Sequence, residues 1–154
     1  MVSLEEVKLA LNNLNNITLS TPLELIDSYS NLFSSNVYVK REDLQITRSF
    51  KIRGSFNKIL SLSRDQKENG IVCSSAGNHA QGVSFSCNKL KIKGTIFMPN
   101  TTPSIKVKKV KEFGGKYIKV KLVGDSYDDC YKQALAYCKK NNKTFIHPFD
   151  DNKV

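Results

Sequence analysis

Apolar positions recur along this chain in two alternating rhythms. Leu4, Val7, Leu11 and Leu14 fall on one face at helical spacing. Ser3-Leu4-Glu5-Glu6 opens that stretch as a capping box, in which Ser3 accepts from the amide of Glu6 and the Glu6 carboxylate reaches back. Thr21-Pro22-Leu23 predicts a turn or extended piece, and Val37-Tyr38-Val39 a strand. A helix is expected over about 49–62 with Phe56, Ile59 and Leu60 inward. Further strands are predicted at 70–73, 95–98, 117–123 and 144–146. The helices between them carry Ala80, Val83, Cys87 and Leu90, then Ile105 and Val110, then Tyr127, Tyr131, Ala134 and Cys138 behind a cap at Asp125 or Ser126.

Strand and helix alternate four times with short connections. Such a series implies right-handed crossovers and an α/β fold of three layers, a mostly parallel sheet with helices on both faces. A chain of 154 residues is long enough to bury an ordinary core. No run of ~20 apolar residues is present, so no membrane span is expected. The first residues show neither a signal nor a transit pattern, which makes a cytoplasmic location the expectation. Cys73, Cys87, Cys130 and Cys138 form no C-x-x-C pair and read as buried reduced thiols. His79 and His147 have no carboxylate partners at ligand spacing, so no metal site is expected.

The net charge of +10 raises the question of nucleic acid. Lys106, Lys108, Lys109, Lys111, Lys116, Lys119 and Lys121 carry much of it, interleaved with Val107, Val110, Ile118, Val120 and Leu122. That is how the solvated faces of a helix and a strand are written, and aromatic interleaving is missing. Nucleic acid is not an expected partner.

Two strand–helix junctions are unusual in content. Ser49-Phe50-Lys51-Ile52-Arg53-Gly54 puts a lysine in the first turn of a helix, where the positive end of the dipole disfavours an ammonium ion. An amine that sheds its charge is a nucleophile suited to Schiff-base chemistry. Against this stand 20 lysines in all, most of them ordinary solvated side chains. The second junction, Ser74-Ser75-Ala76-Gly77-Asn78-His79, lies between the strand ending at Cys73 and the helix bearing Ala80. Its small residues let the backbone approach an anion at a helix N-terminus, with Ser75 and Asn78 adding side-chain bonds. The plainer alternative is a helix cap made by Ser75 or Asn78.

Taken together these motifs resemble the threonine dehydratase family. Val37 to Gln45, Ser49 to Gly54 and Ser75-Ala76-Gly77-Asn78-His79-Ala80-Gln81-Gly82 agree with it in order and spacing. So do Thr21-Pro22-Leu23, Met98-Pro99, Thr102-Pro103-Ser104-Ile105-Lys106 and Pro148-Phe149-Asp150-Asp151. The resemblance implies a pyridoxal-phosphate enzyme of the tryptophan-synthase-β-like fold, with two α/β domains around the cofactor. It implies that Lys51 carries the cofactor and moves the substrate's α-proton. It further implies that Asn78 bonds the cofactor's 3′-oxygen, that Phe50 packs beside the ring, and that Ser75, Gly77, Asn78 and His79 hold the substrate carboxylate. The implied reaction converts L-threonine to 2-oxobutanoate and ammonia, and L-serine to pyruvate. Serine racemases are similar around Lys51 but carry a serine where this chain has Ala76, so a racemase-like activity is the lesser expectation.

The resemblance ends before the family's glycine-rich phosphate loop, since Gly114-Gly115 reads as a helix C-cap. Residues 1–40 are expected to belong to an incomplete large domain. Residues 41–147 form the small α/β domain, and 148–154 begin the return to the large one. Two alternatives stay open: part of an enzyme completed by another chain or by self-association, or a truncated, inactive remnant acting at most as an interaction module.

Overall fold

The structure is a computed structural model that describes residues 2–154. Residues 2–40 form a strip of small elements. The capping box on Ser3 and Glu6 starts α1 (Leu4–Asn13), as its residues predict. β1 (Leu23–Leu25) pairs antiparallel with β2 (Tyr38–Lys40), and α2 (Asp27–Phe33) lies between them. Helix α2 has no buried residue, and its seven residues are too few for a helical period to stand out in the sequence.

The remainder alternates as anticipated. α3 (Lys51–Leu60), α4 (Arg64–Asn69), β3 (Ile71–Ser74), α5 (Asn78–Leu90), β4 (Gly94–Met98), α6 (Ser104–Gly114), β5 (Ile118–Leu122), α7 (Tyr127–Lys140) and β6 (Thr144–Phe145) follow in turn. The four later strands make one parallel sheet in the order β5-β4-β3-β6. Helix α4 is polar all round and owes its start to a capping box on Ser63 and Gln66, a signal present in the sequence.

Central strands β3 and β4 are buried along their whole length, as strands covered on both faces must be. Ile71, Cys73, Ile96 and Met98 face the layer of α3, α5 and α6, packing with Ile59, Val83, Cys87 and Val110. Val72 and Phe97 face α7, where Cys130, Ala134 and Cys138 receive them. This alternation is the period of two expected of a strand. All four cysteines are free and buried. Burial pushes the thiols of Cys73 and Cys87 well above their ordinary pKa.

One expectation shifts in detail, and one alternative is settled. Ile105 is exposed, and Val107 packs with the buried Val110 instead, because a spacing of three shares a helix face and a spacing of five does not. Ser126 caps α7, accepting from the amide of Asp129. Gly115, at φ +52, closes α6 as the sequence suggests.

Candidate functional site

Lys51 is the first residue of α3. Ser49 Oγ accepts from the Lys51 amide at 3.1 Å, and no side chain caps the helix at Phe50. The Lys51 ammonium donates to the carbonyl of Pro148 at 2.5 Å and lies 5.3 Å from the centroid of the Phe50 ring. Phe50 itself is 59% exposed, offering a broad aromatic face beside the amine. A cleft of about 680 Å³ opens here between α1, the start of α3 and residues 149–154, with Lys51 and Phe50 in its wall. Another groove, about 630 Å³, lies between α6 and β5 and contains none of the residues of the two junctions.

The second junction continues β3. The Ser75 amide donates to Phe97 O, and Ser75 Oγ accepts from the Gly77 amide at 3.2 Å. Neither Ser75 nor Asn78 caps α5. Its N-cap is Gly77, which has no side chain to give, and the first-turn amides have no side-chain acceptor. A side-chain carbon placed on Gly77 would meet nothing within 4 Å, so the space in front of these amides is open. Of the two readings of this turn, the side-chain cap is absent, and the amides are left open to an acceptor.

Asn78 is exposed at the start of α5, and Ser75 and Gly77 are half-buried. His79 behaves differently. Its ring is buried, with Nε2 donating to Ile146 O at 3.1 Å and Nδ1 without a partner among the described residues. Burial holds its pKa down at about 4, outweighing the carbonyl bond, with the charges of Lys51 and His147 adding to the depression. The imidazole is therefore neutral core, and the backbone N–H is what His79 can offer a ligand.

The two junctions meet because α3 packs tightly on α5 at Gly82. A Cβ at Gly82 would come within 2.6 Å of Ser55 Oγ and 3.0 Å of the Lys51 carbonyl. Asn78 lies one helical turn before Gly82 on the same face of α5. Absence of a side chain at position 82 thus lets the lysine's turn approach the open end of α5.

Several contacts around the lysine have no signature in the sequence. Glu42 accepts from Arg53 Nε and Nη2 at 2.9 and 2.7 Å and from Thr21 Oγ1 at 2.6 Å. Arg53 holds the Glu42 carboxyl below its usual pKa and is itself shifted up. Gln45 is buried and bonds both backbone groups of Leu19. Together they bind the 18–21 stretch to the start of α3. The Pro148 carbonyl lies 97 residues from Lys51, so no local pattern could reveal it.

Fold and site define the class: an α/β protein with a ligand-ready turn at the carboxyl ends of parallel strands. Residues 15–154 match the pyridoxal-phosphate-dependent enzymes, and the chain belongs to that family. It is 49% identical over 154 residues to the biosynthetic L-threonine dehydratase IlvA of Bacillus subtilis, covering all of this chain and 36% of that protein. The processed form of threonine deaminase isoform 2 from Solanum lycopersicum superposes with a TM-score of 0.84 at 36% identity, over 98% of this chain and 42% of that one. Serine racemase from Dictyostelium discoideum gives a TM-score of 0.87 at 28% identity, over 99% and 48%. The chain spans little more than a third of the curated relatives it matches.

The residues present fit the family's cofactor in part. A half-buried primary amine, an aromatic face beside it and an open, uncapped turn suit an aldehyde-bearing aromatic ring and an acidic substrate. The adjacent glycines Gly114 and Gly115 end α6 and make no phosphate cradle.

Proposed function

We propose that this chain supplies the lysine-bearing part of a pyridoxal-phosphate-dependent dehydratase acting on L-threonine and L-serine. The observation that carries the reading is the placement of Lys51 at the start of α3, packed by way of Gly82 against the open turn of α5. Pyridoxal phosphate, when bound, supplies the electron sink for breaking bonds at the substrate's α-carbon. The chain's own residues orient and move protons. Lys51 would hold the cofactor and take the α-proton; Phe50 would pack beside the ring, and Asn78 would bond the ring oxygen. Ser75, Gly77, Asn78 and His79 receive the substrate carboxylate, His79 through its amide. Ala76 has no titratable group, so proton delivery from the face opposite the lysine lacks a catalyst. Elimination, giving 2-oxobutanoate from L-threonine, is favoured over racemisation.

In this reading 41–147 is the small domain, and 1–40 with 148–154 belong to the large one, which another chain or segment completes. The phosphate is then held by residues outside these 154. A biosynthetic role in the cytoplasm accords with the names of the relatives and with four buried reduced thiols.

Borohydride reduction tests the assignment, using pyridoxal phosphate together with the remaining dehydratase residues supplied as a second chain. Peptide mapping is expected to place the adduct on Lys51 and to find it lost in Lys51→Ala. An adduct spread over surface lysines and unchanged in that variant would overturn the reading. The reconstituted enzyme should release 2-oxobutanoate and little D-serine, whereas racemisation as fast as elimination would sink the role given to Ala76.

A further inference from the structure

Residues 148–154 lie across the first two turns of α3 as a strap. At one end the Pro148 carbonyl accepts from Lys51 Nζ at 2.5 Å. Further along, Asp151 Oδ2 pairs with Lys58 Nζ at 2.6 Å, with side chains only 21% and 19% exposed. The Lys153 carbonyl accepts from Asn57 Nδ2 at 3.1 Å, and Val154 occupies the space into which a side chain at Gly54 would project. Lys51, Gly54 and Lys58 are three and four residues apart, so all three lie along one face of α3.

Internal bonds stiffen the strap. Asp151 Oδ1 accepts from the Lys153 amide at 2.9 Å, and the Asp151 carbonyl accepts from the Val154 amide at 3.0 Å. At its start the Asp150 amide donates to His147 Nδ1 at 2.8 Å, and just before that Ile146 O receives His79 Nε2. One continuous segment therefore touches the reactive amine through Pro148 and the base of the amide turn through Ile146.

We infer that Asp151 and Lys58 are positioning residues: their half-buried ion pair clamps the strap onto α3 and so holds the Pro148 carbonyl against the Lys51 amine. The proposal rests on the reading of Lys51 as the reactive lysine and adds what aims it. The last sheet hydrogen bond before position 148 is that of the Ile146 amide to Val72 O, two residues upstream, and beyond it the strap is held by His147 and by its contacts with α3. The ion pair is the strap's only salt bridge to α3 among the described residues. Desolvated and hydrogen-bonded, such a pair is costly to break from one side. Without it, Lys51 Nζ loses its fixed acceptor and samples the cleft.

The test needs no cofactor. Trace acetylation of the 154-residue chain with acetic anhydride, followed by peptide mass mapping, reads the reactivity of each lysine. Asp151→Asn and Lys58→Met are each expected to raise labelling of Lys51 about tenfold relative to Lys89, the loss of one charge-assisted hydrogen bond. The exchanged pair Lys58→Asp with Asp151→Lys is expected to bring Lys51 back towards its original rate. Unchanged relative labelling of Lys51 in both single variants would overturn the inference. Should one single variant unfold, shown by uniform labelling of all lysines and loss of circular dichroism, the other and the exchanged pair decide; failure of the exchange to slow Lys51, or to fold, also counts against it. Borohydride reduction separates the two readings. A labelling change at Lys51 without a cofactor adduct there would leave the clamp standing and remove the proposed function, and the reverse pattern would do the opposite.

Discussion

The sheet domain and the N-terminal strip share one chain and use apolar residues in opposite ways. In the sheet domain Ile71, Val72, Cys73 and Ile96 are wholly buried, and α3, α5, α6 and α7 lay their apolar stripes on the sheet. In the strip Leu4, Val7, Leu9 and Leu11 stand exposed on α1, and among its described apolar residues only Leu14 is buried. Helix α1 is nonetheless well formed, with a full capping box and a clear amphipathic pattern. Local signals suffice to build a helix; burying its face takes a partner surface. Leu11 joins Phe50 and Phe149 around the cleft beside Lys51, so the region least finished in packing adjoins the region of chemical interest.

The contrast can be broken most forcefully inside the sheet. Ile96→Ala, in the middle of β4 at 0% exposure, is expected to cost ~2–5 kcal/mol by denaturant unfolding. Leu11→Ala, at 64% exposure, should cost within about 0.5 kcal/mol. Comparable losses at the two sites would show that α1 is packed after all.

Acid probes the same core through His79. Its folded pKa of about 4 lies below the ordinary 6.5, so the unfolded chain binds more protons between those values. Stability from this group is full above the upper value and falls as pH drops towards 4. The whole effect is about 3 kcal/mol. Unfolding of His79→Gln measured at pH 7 and pH 4.5 should show a smaller loss on acidification than the parent chain. An identical loss would mean the ring is solvated.

Gly82→Ala sharpens the comparison at the contact of α3 with α5. The added methyl must displace Ser55 Oγ and press on the Lys51 carbonyl, at a cost of ~1–3 kcal/mol. Trace acetylation should also find Lys51 altered while Lys132 on α7 is not. Wild-type stability and labelling would mean that the helices have slack there.

The smallest effect on stability belongs to the strip. Replacing Leu4, Val7 and Leu11 by Gln should change unfolding by less than ~0.5 kcal/mol each while reducing self-association in sedimentation velocity. Unaltered sedimentation would show that the α1 face does not drive association.

Much of this architecture was legible in the residues themselves. Capping boxes, β-branched runs and helical spacing announce α1, α3, α5, α7 and the parallel strands, because each rests on hydrogen bonds and side-chain faces only a few residues apart. The motifs around Lys51 and Ser75 to Gly82 likewise point to a family of chemistry, and the family match agrees. What tertiary structure alone decided depends on contacts between distant positions. The turn before α5 could have been capped by Ser75 or Asn78, and only the folded turn shows Gly77 as the N-cap with the amides open. His79, one residue along the same motif, is turned into the core by the carbonyl of Ile146. The clasp of Lys58 on Asp151 and of Lys51 on Pro148 joins positions more than ninety residues apart. A local pattern records which face a residue shares with its neighbours; which distant carbonyl or carboxylate that face meets is settled when the sheet brings the chain back upon itself.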